Sequence, residues 1–171
     1  RTLQESDAEL YKIQEFLHYK RENHIRPINT KLYISCIDHC PYEGKINTEE
    51  VTTHIINHAC TGYYNEVCLS DTCGSLTFHS YKSILDECLK YIHPDIISLH
   101  LHVNKNNHLT IENIIRYSLN KGVHRFDVSL LEHGGCSITL QDNEKHSNLD
   151  YNLLCNILDR YIKENVGRLK K

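Results

Sequence analysis

The sequence predicts an α/β protein built on a parallel β-sheet. Four short segments rich in β-forming residues recur along the chain, and each is followed by a segment whose apolar residues repeat with helical spacing. Strands that alternate with helices form parallel sheets through right-handed crossovers. Two architectures fit this order, an open doubly wound sheet and part of a closed β/α barrel. A whole barrel needs eight such units and usually ~250 residues, so these 171 residues would supply only part of one.

The first predicted element is a helix that precedes all four strands. From Leu3 to about Glu22, apolar residues recur three or four positions apart, which is the spacing of an amphipathic helix. Leu10, Ile13, Phe16 and Leu17 fall on one side of that helix, and we expect this side to be buried.

The remaining elements alternate between strand and helix. Strands are predicted where β-branched and aromatic residues cluster, and helices where apolar residues return to helical spacing. The strands are predicted at Lys31–Cys36, Asn65–Ser70, Asp95–His102 and His124–Leu131, and the helices at Thr48–Ala59, Phe78–Ile92, Thr110–Asn120 and Asn148–Val166. Thr48 is the expected N-cap of the first of these helices, and Gly122 is expected to end the third.

Composition argues against several classes of partner. The net charge is −3 and no basic stripe is present, so we expect no nucleic-acid partner. No apolar run reaches the ~18–20 residues that a membrane span needs. The eight cysteines are interpreted as buried, reduced thiols of a soluble intracellular protein, because several lie inside apolar runs. The residues leave a mitochondrial and a cytoplasmic location equally open. We expect a single domain over residues 1–171.

Polar residues collect where each predicted strand ends. In parallel β/α proteins, ligands bind beyond the carboxyl ends of the strands. The segments that follow the strands carry groups able to bind metals or move protons. They are Cys36–Lys45, Asp71–Gly74, His100–His102, Gly134–Cys136 and, at the start of the last helix, Ser147–Leu149.

Among these features, the pair His100 and His102 is the most specific indication of a metal site. Residues two apart on a strand point to the same face, so both imidazoles can converge on one cation. Asn148 has two interpretations, as a helix cap or as a carbonyl-oxygen ligand for a hard cation. His54 and His58 lie one helical turn apart, but with 13 histidines in the chain a solvated surface pair is the favoured interpretation.

Two further motifs leave their function open. Asp71, with Thr72 and Gly74 after it, is typical of a turn that caps a helix, and it equally suits a site at a strand end. Cys136 follows two glycines. It is either an incidental thiol in a flexible turn or an exposed group able to act as an acid or base.

Taken together, these segments resemble hydroxymethylglutaryl-CoA lyases. The matching stretches, in order and at similar spacing, are Tyr33–Cys36, Cys40–Lys45 (CPYEGK), Leu69–Gly74, His100–His102 and Gly134–Cys136. CPYEGK is the most specific of them, and the resemblance covers about residues 5–160. It implies a TIM-type β/α barrel in which this chain supplies parallel (β/α) units forming the second half, strands five to eight.

The resemblance also implies an activity and the residues that carry it. The reaction would be the metal-dependent cleavage of hydroxymethylglutaryl-CoA to acetyl-CoA and acetoacetate, with Mg²⁺ or Mn²⁺ as the divalent metal and an acyl-CoA as the substrate. The implied residues are His100, His102 and Asn148 as metal ligands, Asp71 and Cys136 as catalytic groups, and Thr72 and Lys45 as substrate-binding groups.

Departures from the family's pattern support a second interpretation. The Arg-Asp pair of the family's first strand has no counterpart in these 171 residues, Val103 replaces the Asp after the His-x-His pair, and Ser137 replaces a Pro. The alternative is a catalytically incomplete half barrel that acts as a binding or oligomerising protein. Four strands leave two open sheet edges, which predicts a homodimer or a partner chain that covers them.

Overall fold

The structure, a computed structural model, describes residues 3–130 and 146–169. Helices and strands alternate along these ranges. The helices are α1 (Leu3–Glu22), α2 (Thr48–Ala59), α3 (Phe78–Cys88), α4 (His108–Asn120) and α5 (Tyr151–Leu169). The strands are β1 (Lys31–Ile34), β2 (His39–Cys40), β3 (Gly44–Lys45), β4 (Glu66–Ser70), β5 (Ile97–His100), β6 (His102–Val103), β7 (Arg125–Asp127) and β8 (Ser147–Asn148).

The main sheet is parallel, and its strands stand in the order of the chain, β1-β4-β5-β7. Leu32 pairs with Val67, Leu69 with Leu99, and Leu99 with Phe126. A doubly wound sheet reverses its strand order at a switch point, where ligands bind. The described strands show no such reversal, which favours the wall of a barrel.

The helices lie on one face of this sheet. Every second strand residue is buried against them in one apolar cluster, including Leu32, Val67, Leu69, Ile97 and Leu99. Helices α2, α3, α4 and α5 all contribute to that cluster. The alternate residues on the opposite face are mostly polar. A sheet covered on one side, with sequential strands, is half of a β/α barrel in which the polar face points inward.

The N-cap of α2 and the starts of α4 and α5 differ from the sequence prediction, and α4 begins at His108 in place of Thr110. The N-cap of α2 is Asn47, whose side chain accepts hydrogen bonds from the backbone of Glu49 and Glu50, and Thr48 is the first helical residue. Helix α5 begins at Tyr151, because Asn148 belongs to strand β8. Gly122 follows α4 with φ +86°, as the sequence predicts for a residue that ends a helix.

The predicted third strand, Asp95–His102, is divided into three pieces. Residues Pro94–Ile96 form a 3₁₀ turn, Ile97–His100 form β5, and His102–Val103 form β6. Strand β6 leaves the main sheet and pairs antiparallel with β8. Between the two strands, the carbonyl of Leu101 accepts a hydrogen bond from the backbone of Leu149. This long-range pairing is what brings Asn148 beside the histidines.

Helix α1 has the predicted bounds, but its buried side is different. Ile13 and Phe16 are 48% and 53% exposed, whereas Leu10 is partly buried and packs against the core. The amphipathic prediction was therefore wrong for half of that face. Helix α1 packs against the rest of the protein along a narrow stripe that includes Leu10. Ile13 and Phe16 lie outside this stripe and remain exposed to solvent.

The contacts that hold α1 lie near the end of α2 and the loop after it. The amide of Gln14 donates to the hydroxyl of Tyr64 at 3.2 Å. The guanidinium of Arg21 donates to the carbonyl of Gly62 at 2.7 Å and lies over the ring of Tyr63. Neither α1 nor any other helix within the described ranges is long and apolar enough to span a bilayer.

Candidate metal centre

Several of the predicted site residues lie together at the carboxyl ends of the parallel strands. An open cavity of about 300 Å³ there is lined by Tyr33, Ser35, Ser70, Thr72, His100, His102 and Asn148. A neighbouring cavity of about 540 Å³ shares three of those residues and adds Phe126, Asp127 and Val128. Four of the seven residues implied by the family resemblance are thus brought to one place.

The two imidazoles are close and differently held. The rings of His100 and His102 lie edge to face with centroids 5.1 Å apart. His102 is buried, and its Nδ1 donates a hydrogen bond to the backbone carbonyl of Asp71. That bond fixes the ring orientation and leaves Nε2 as the nitrogen able to bind a metal, an arrangement common among metal-binding histidines.

The environment of His100 favours its neutral form. Burial, followed by the neighbouring His102, lowers the pKa of His100 below its ordinary value. Its Nδ1 lies 3.7 Å from the carboxylate of Asp127, a contact that opposes this shift without reversing it. A neutral imidazole is the form that binds metal ions.

Asn148 supplies the observation that tests whether a metal fits. Asn148 in strand β8 pairs directly with His102 in strand β6. The side-chain oxygen Oδ1 is buried and has no hydrogen-bond partner, a property it shares within the described ranges with Ser98 Oγ. A buried acceptor without a partner costs about 1–3 kcal/mol. A cation beside the two imidazoles would satisfy this oxygen, so the donor set fits a divalent metal.

Asp71 and Thr72 line the turn between β4 and α3. The carboxylate of Asp71 is buried and accepts weak hydrogen bonds from the backbone of Ser75 and Leu76, at 3.3 and 3.4 Å. Burial raises the pKa of Asp71 above its ordinary value, in spite of those two bonds. The hydroxyl of Thr72 accepts from the backbone of Cys36 at 3.0 Å.

Lys45 lies on a separate hairpin formed by β2 and β3. Its ammonium group pairs with the buried carboxylate of Asp38 and donates to the hydroxyl of Ser80 at 2.9 Å. Lys45 does not line the cavity of the two histidines. The remaining predicted catalytic group, Cys136, lies in residues 131–145, outside the described ranges.

Sequence reasoning missed a charged cluster on the inward face of the sheet. The ammonium of Lys31 pairs with Asp127 at 2.5 Å and with Glu66 at 2.7 Å. The hydroxyl of Tyr33 donates to the other oxygen of Asp127 at 2.8 Å. Burial alone would lower the pKa of Lys31, but its carboxylate partners outweigh burial and raise it. The available signal was strand alternation, which places Asp127 on the face of His100, its register partner.

Removing the Asp127 carboxylate should destabilise this face of the sheet. In Asp127→Ala, Lys31 loses one of its two carboxylates and Tyr33 loses its acceptor. We expect the free energy of unfolding in urea to fall by about 1–2 kcal/mol, reduced from the usual charged-bond value by partial exposure. A double-mutant cycle with Lys31→Met should show coupling of roughly 1 kcal/mol, whereas strictly additive losses would contradict the ion pair.

Comparisons with known proteins found relatives of this chain both in sequence and in fold. No protein-family model matches the chain. The rat protein named 3-hydroxy-3-methylglutaryl-CoA lyase, cytoplasmic, is 35% identical over 104 residues, which are 61% of this chain and 29% of the rat protein. The bovine protein named hydroxymethylglutaryl-CoA lyase, mitochondrial, is 31% identical over 133 residues, 76% of this chain and 38% of its own length.

A solved structure shows the same fold. An HMG-CoA lyase from Acinetobacter baumannii, in complex with coenzyme A and 3-methylmalate, superposes with a TM-score of 0.73 at 24% identity, over 94% of this chain and 48% of that one. The predicted parallel (β/α) units of a half barrel are thereby confirmed. The chain spans about a third of the length of the curated relatives. In sequence and in fold it is similar to the C-terminal half of the hydroxymethylglutaryl-CoA lyases.

Proposed function

We propose that this chain carries the metal-binding half of a hydroxymethylglutaryl-CoA lyase site, within a single domain over residues 1–171. The reaction is the cleavage of hydroxymethylglutaryl-CoA to acetyl-CoA and acetoacetate. The observation that carries the proposal is the buried, unpartnered Oδ1 of Asn148, a residue that lines one cavity together with His100 and His102. The likeness in sequence to curated lyases supports it.

His100, His102 and Asn148 are the proposed metal ligands. Two imidazole nitrogens and one amide oxygen leave positions open for substrate oxygens. Mg²⁺ or Mn²⁺ held there would polarise the hydroxyl and carbonyl oxygens of the substrate as a Lewis acid. The hydrogen bond from His102 to the carbonyl of Asp71 fixes one ligand in advance.

Two residues are proposed to move protons. Asp71 takes the proton of the substrate's tertiary hydroxyl as the carbon–carbon bond breaks, and the raised pKa of this buried carboxyl brings its basicity closer to neutral pH. Cys136 delivers a proton to the departing acetyl-CoA carbanion. Thr72, at the rim of the cavity, and Lys45, on its hairpin, are the proposed substrate-binding groups.

Acetyl-CoA release tests this proposal directly. The purified chain is mixed with hydroxymethylglutaryl-CoA, with and without Mn²⁺ or Mg²⁺, and acetyl-CoA is measured. We expect metal-dependent release that falls by about 10²–10³-fold in His100→Ala and Cys136→Ala. His79→Ala, on the exposed surface of α3, is the matched control and should retain the activity.

A folded chain that binds Mn²⁺ and releases no acetyl-CoA would favour a second function. In that case the chain is a half barrel that binds an acyl-CoA or a partner without turnover. The inward face offers a specific reason, since the cations Lys31 and Arg125 neutralise the carboxylates of Glu66 and Asp127. Such a face needs no second half to neutralise it. The open edges at β1 and β7 are then the surfaces for a second copy or a partner chain.

A further inference from the structure

We propose that Asp7, His54 and His58 form a second metal site, which takes a divalent transition metal of the Zn²⁺ class and joins helix α1 to helix α2. This site is separate from the strand-end histidines and does not depend on the proposed lyase function. Asp7 lies in α1, and the two histidines lie in α2.

The geometry of the three side chains is close to that of a bound site. One donor atom from each residue lies within 4.8 Å of the other two. The Nε2 of His58 is 3.6 Å from the carboxylate of Asp7, and the rings of His54 and His58 stack with centroids 5.8 Å apart. Tetrahedral coordination at zinc bond lengths of ~2.0–2.1 Å puts donors roughly 3.3 Å apart. Small side-chain rotations therefore close the site.

The chemistry of the donors selects the metal. Two histidines at positions i and i+4 of a helix present their rings on one side, a common arrangement for zinc. Two imidazoles with one carboxylate suit Zn²⁺, Co²⁺ or Ni²⁺ better than Mg²⁺, which prefers oxygen ligands. All three side chains are partly buried between the helices. A fourth position remains for water.

Its place in the fold gives the site a structural effect. Most of the apolar surface of α1 does not touch the body of the protein, as the exposure of Ile13 and Phe16 shows. Two further polar links of α1 to the body, from Gln14 and Arg21, lie farther along the helix than Asp7. A metal bound to Asp7 therefore fixes the N-terminal part of α1, and binding to the folded state alone raises its stability.

A cobalt titration tests the site. Metal-free chain is titrated with Co²⁺ and followed by its visible absorption, first as wild type and then as His54→Ala, His58→Ala and Asp7→Asn. We expect one Co²⁺ per chain at this site without a thiolate-to-cobalt charge-transfer band, and binding at least about tenfold weaker in each variant. His79→Ala and His102→Ala should keep this binding event, the latter because it disables only the strand-end site.

Thermal unfolding provides the second readout. In a His102→Ala background, which lacks the strand-end site, Zn²⁺ should raise the Tm of the parent and of His79→Ala, and should leave the Tm of His54→Ala and Asp7→Asn nearly unchanged. Asp7→Asn exchanges a partly exposed carboxylate for an amide of nearly the same size and should fold normally, which circular dichroism verifies. Undiminished Co²⁺ binding in His54→Ala and His58→Ala, or a strong thiolate band from a cysteine site, would overturn the proposal.

Discussion

Asn148→Ala is expected to weaken metal binding without destabilising the metal-free chain. The variant removes a buried oxygen that has no hydrogen-bond partner, so the free energy of unfolding without metal should be unchanged or slightly higher. Affinity for Mn²⁺, followed by electron paramagnetic resonance, should fall by at least about tenfold. Weaker metal binding without a loss of stability is the result expected of a residue whose role is to bind a ligand.

His102→Ala is the contrasting variant, because His102 has both a binding and a structural role. Its loss should weaken Mn²⁺ binding at least as much as Asn148→Ala, and should also lower the free energy of unfolding by about 1–3 kcal/mol. The structural loss arises because the buried carbonyl of Asp71 loses the donor that His102 provides. If both variants lose stability equally and keep their Mn²⁺ affinity, the amide and the ring are packing elements and the metal centre is wrong.

Gly74→Ala is expected to damage the site through the backbone. Gly74 has φ +64°, and an added Cβ would lie 2.5 Å from Cδ2 of His146. We expect a loss of about 2–3 kcal/mol in urea unfolding, part from the left-handed backbone and part from displacing the ring. Because His146 precedes β8, the displacement should reach Asn148 and weaken Mn²⁺ binding as well.

Gly62→Ala is the matched control for this prediction. Gly62 has φ +68°, nearly the same backbone conformation, and an added Cβ meets nothing within 4 Å. It should lose only the conformational part, about 1 kcal/mol, and keep full Mn²⁺ affinity. Equal losses in the two variants would show that the contact with His146 contributes nothing.

The features that follow local periodicity were predictable from the sequence. Helix α1 and helix α2 have the predicted bounds, and β1 and β4 lie within their predicted strands. The convergence of His100 and His102 was predictable for the same reason, since two residues on one short segment share a face. Each of these predictions depends on neighbours within a few positions of the chain.

What could not be predicted depends on pairs far apart in sequence. The residues around Asn148 leave it open between a helix cap and a cation ligand, because β8 is only two residues long and its partner β6 is more than forty residues earlier. Lys31 and Asp127 are 96 residues apart, and no local pattern links them. The sequence of α2 favours a solvated surface pair for His54 and His58, because it carries no sign that Asp7 of helix α1 lies beside His58.

The sequential order of the sheet also bears on how the chain acquires its structure during synthesis. Each main strand pairs with the next main strand in sequence, β1 with β4, β4 with β5 and β5 with β7. A nascent chain can therefore add one main strand at a time to an edge that has already formed. None of these four strands needs a partner that is synthesised much later. Short loop closures of this kind favour rapid pairing. The two-stranded β6–β8 ribbon that holds Asn148 is then among the last of the described parts to assemble, since β8 emerges after β1, β4, β5 and β7.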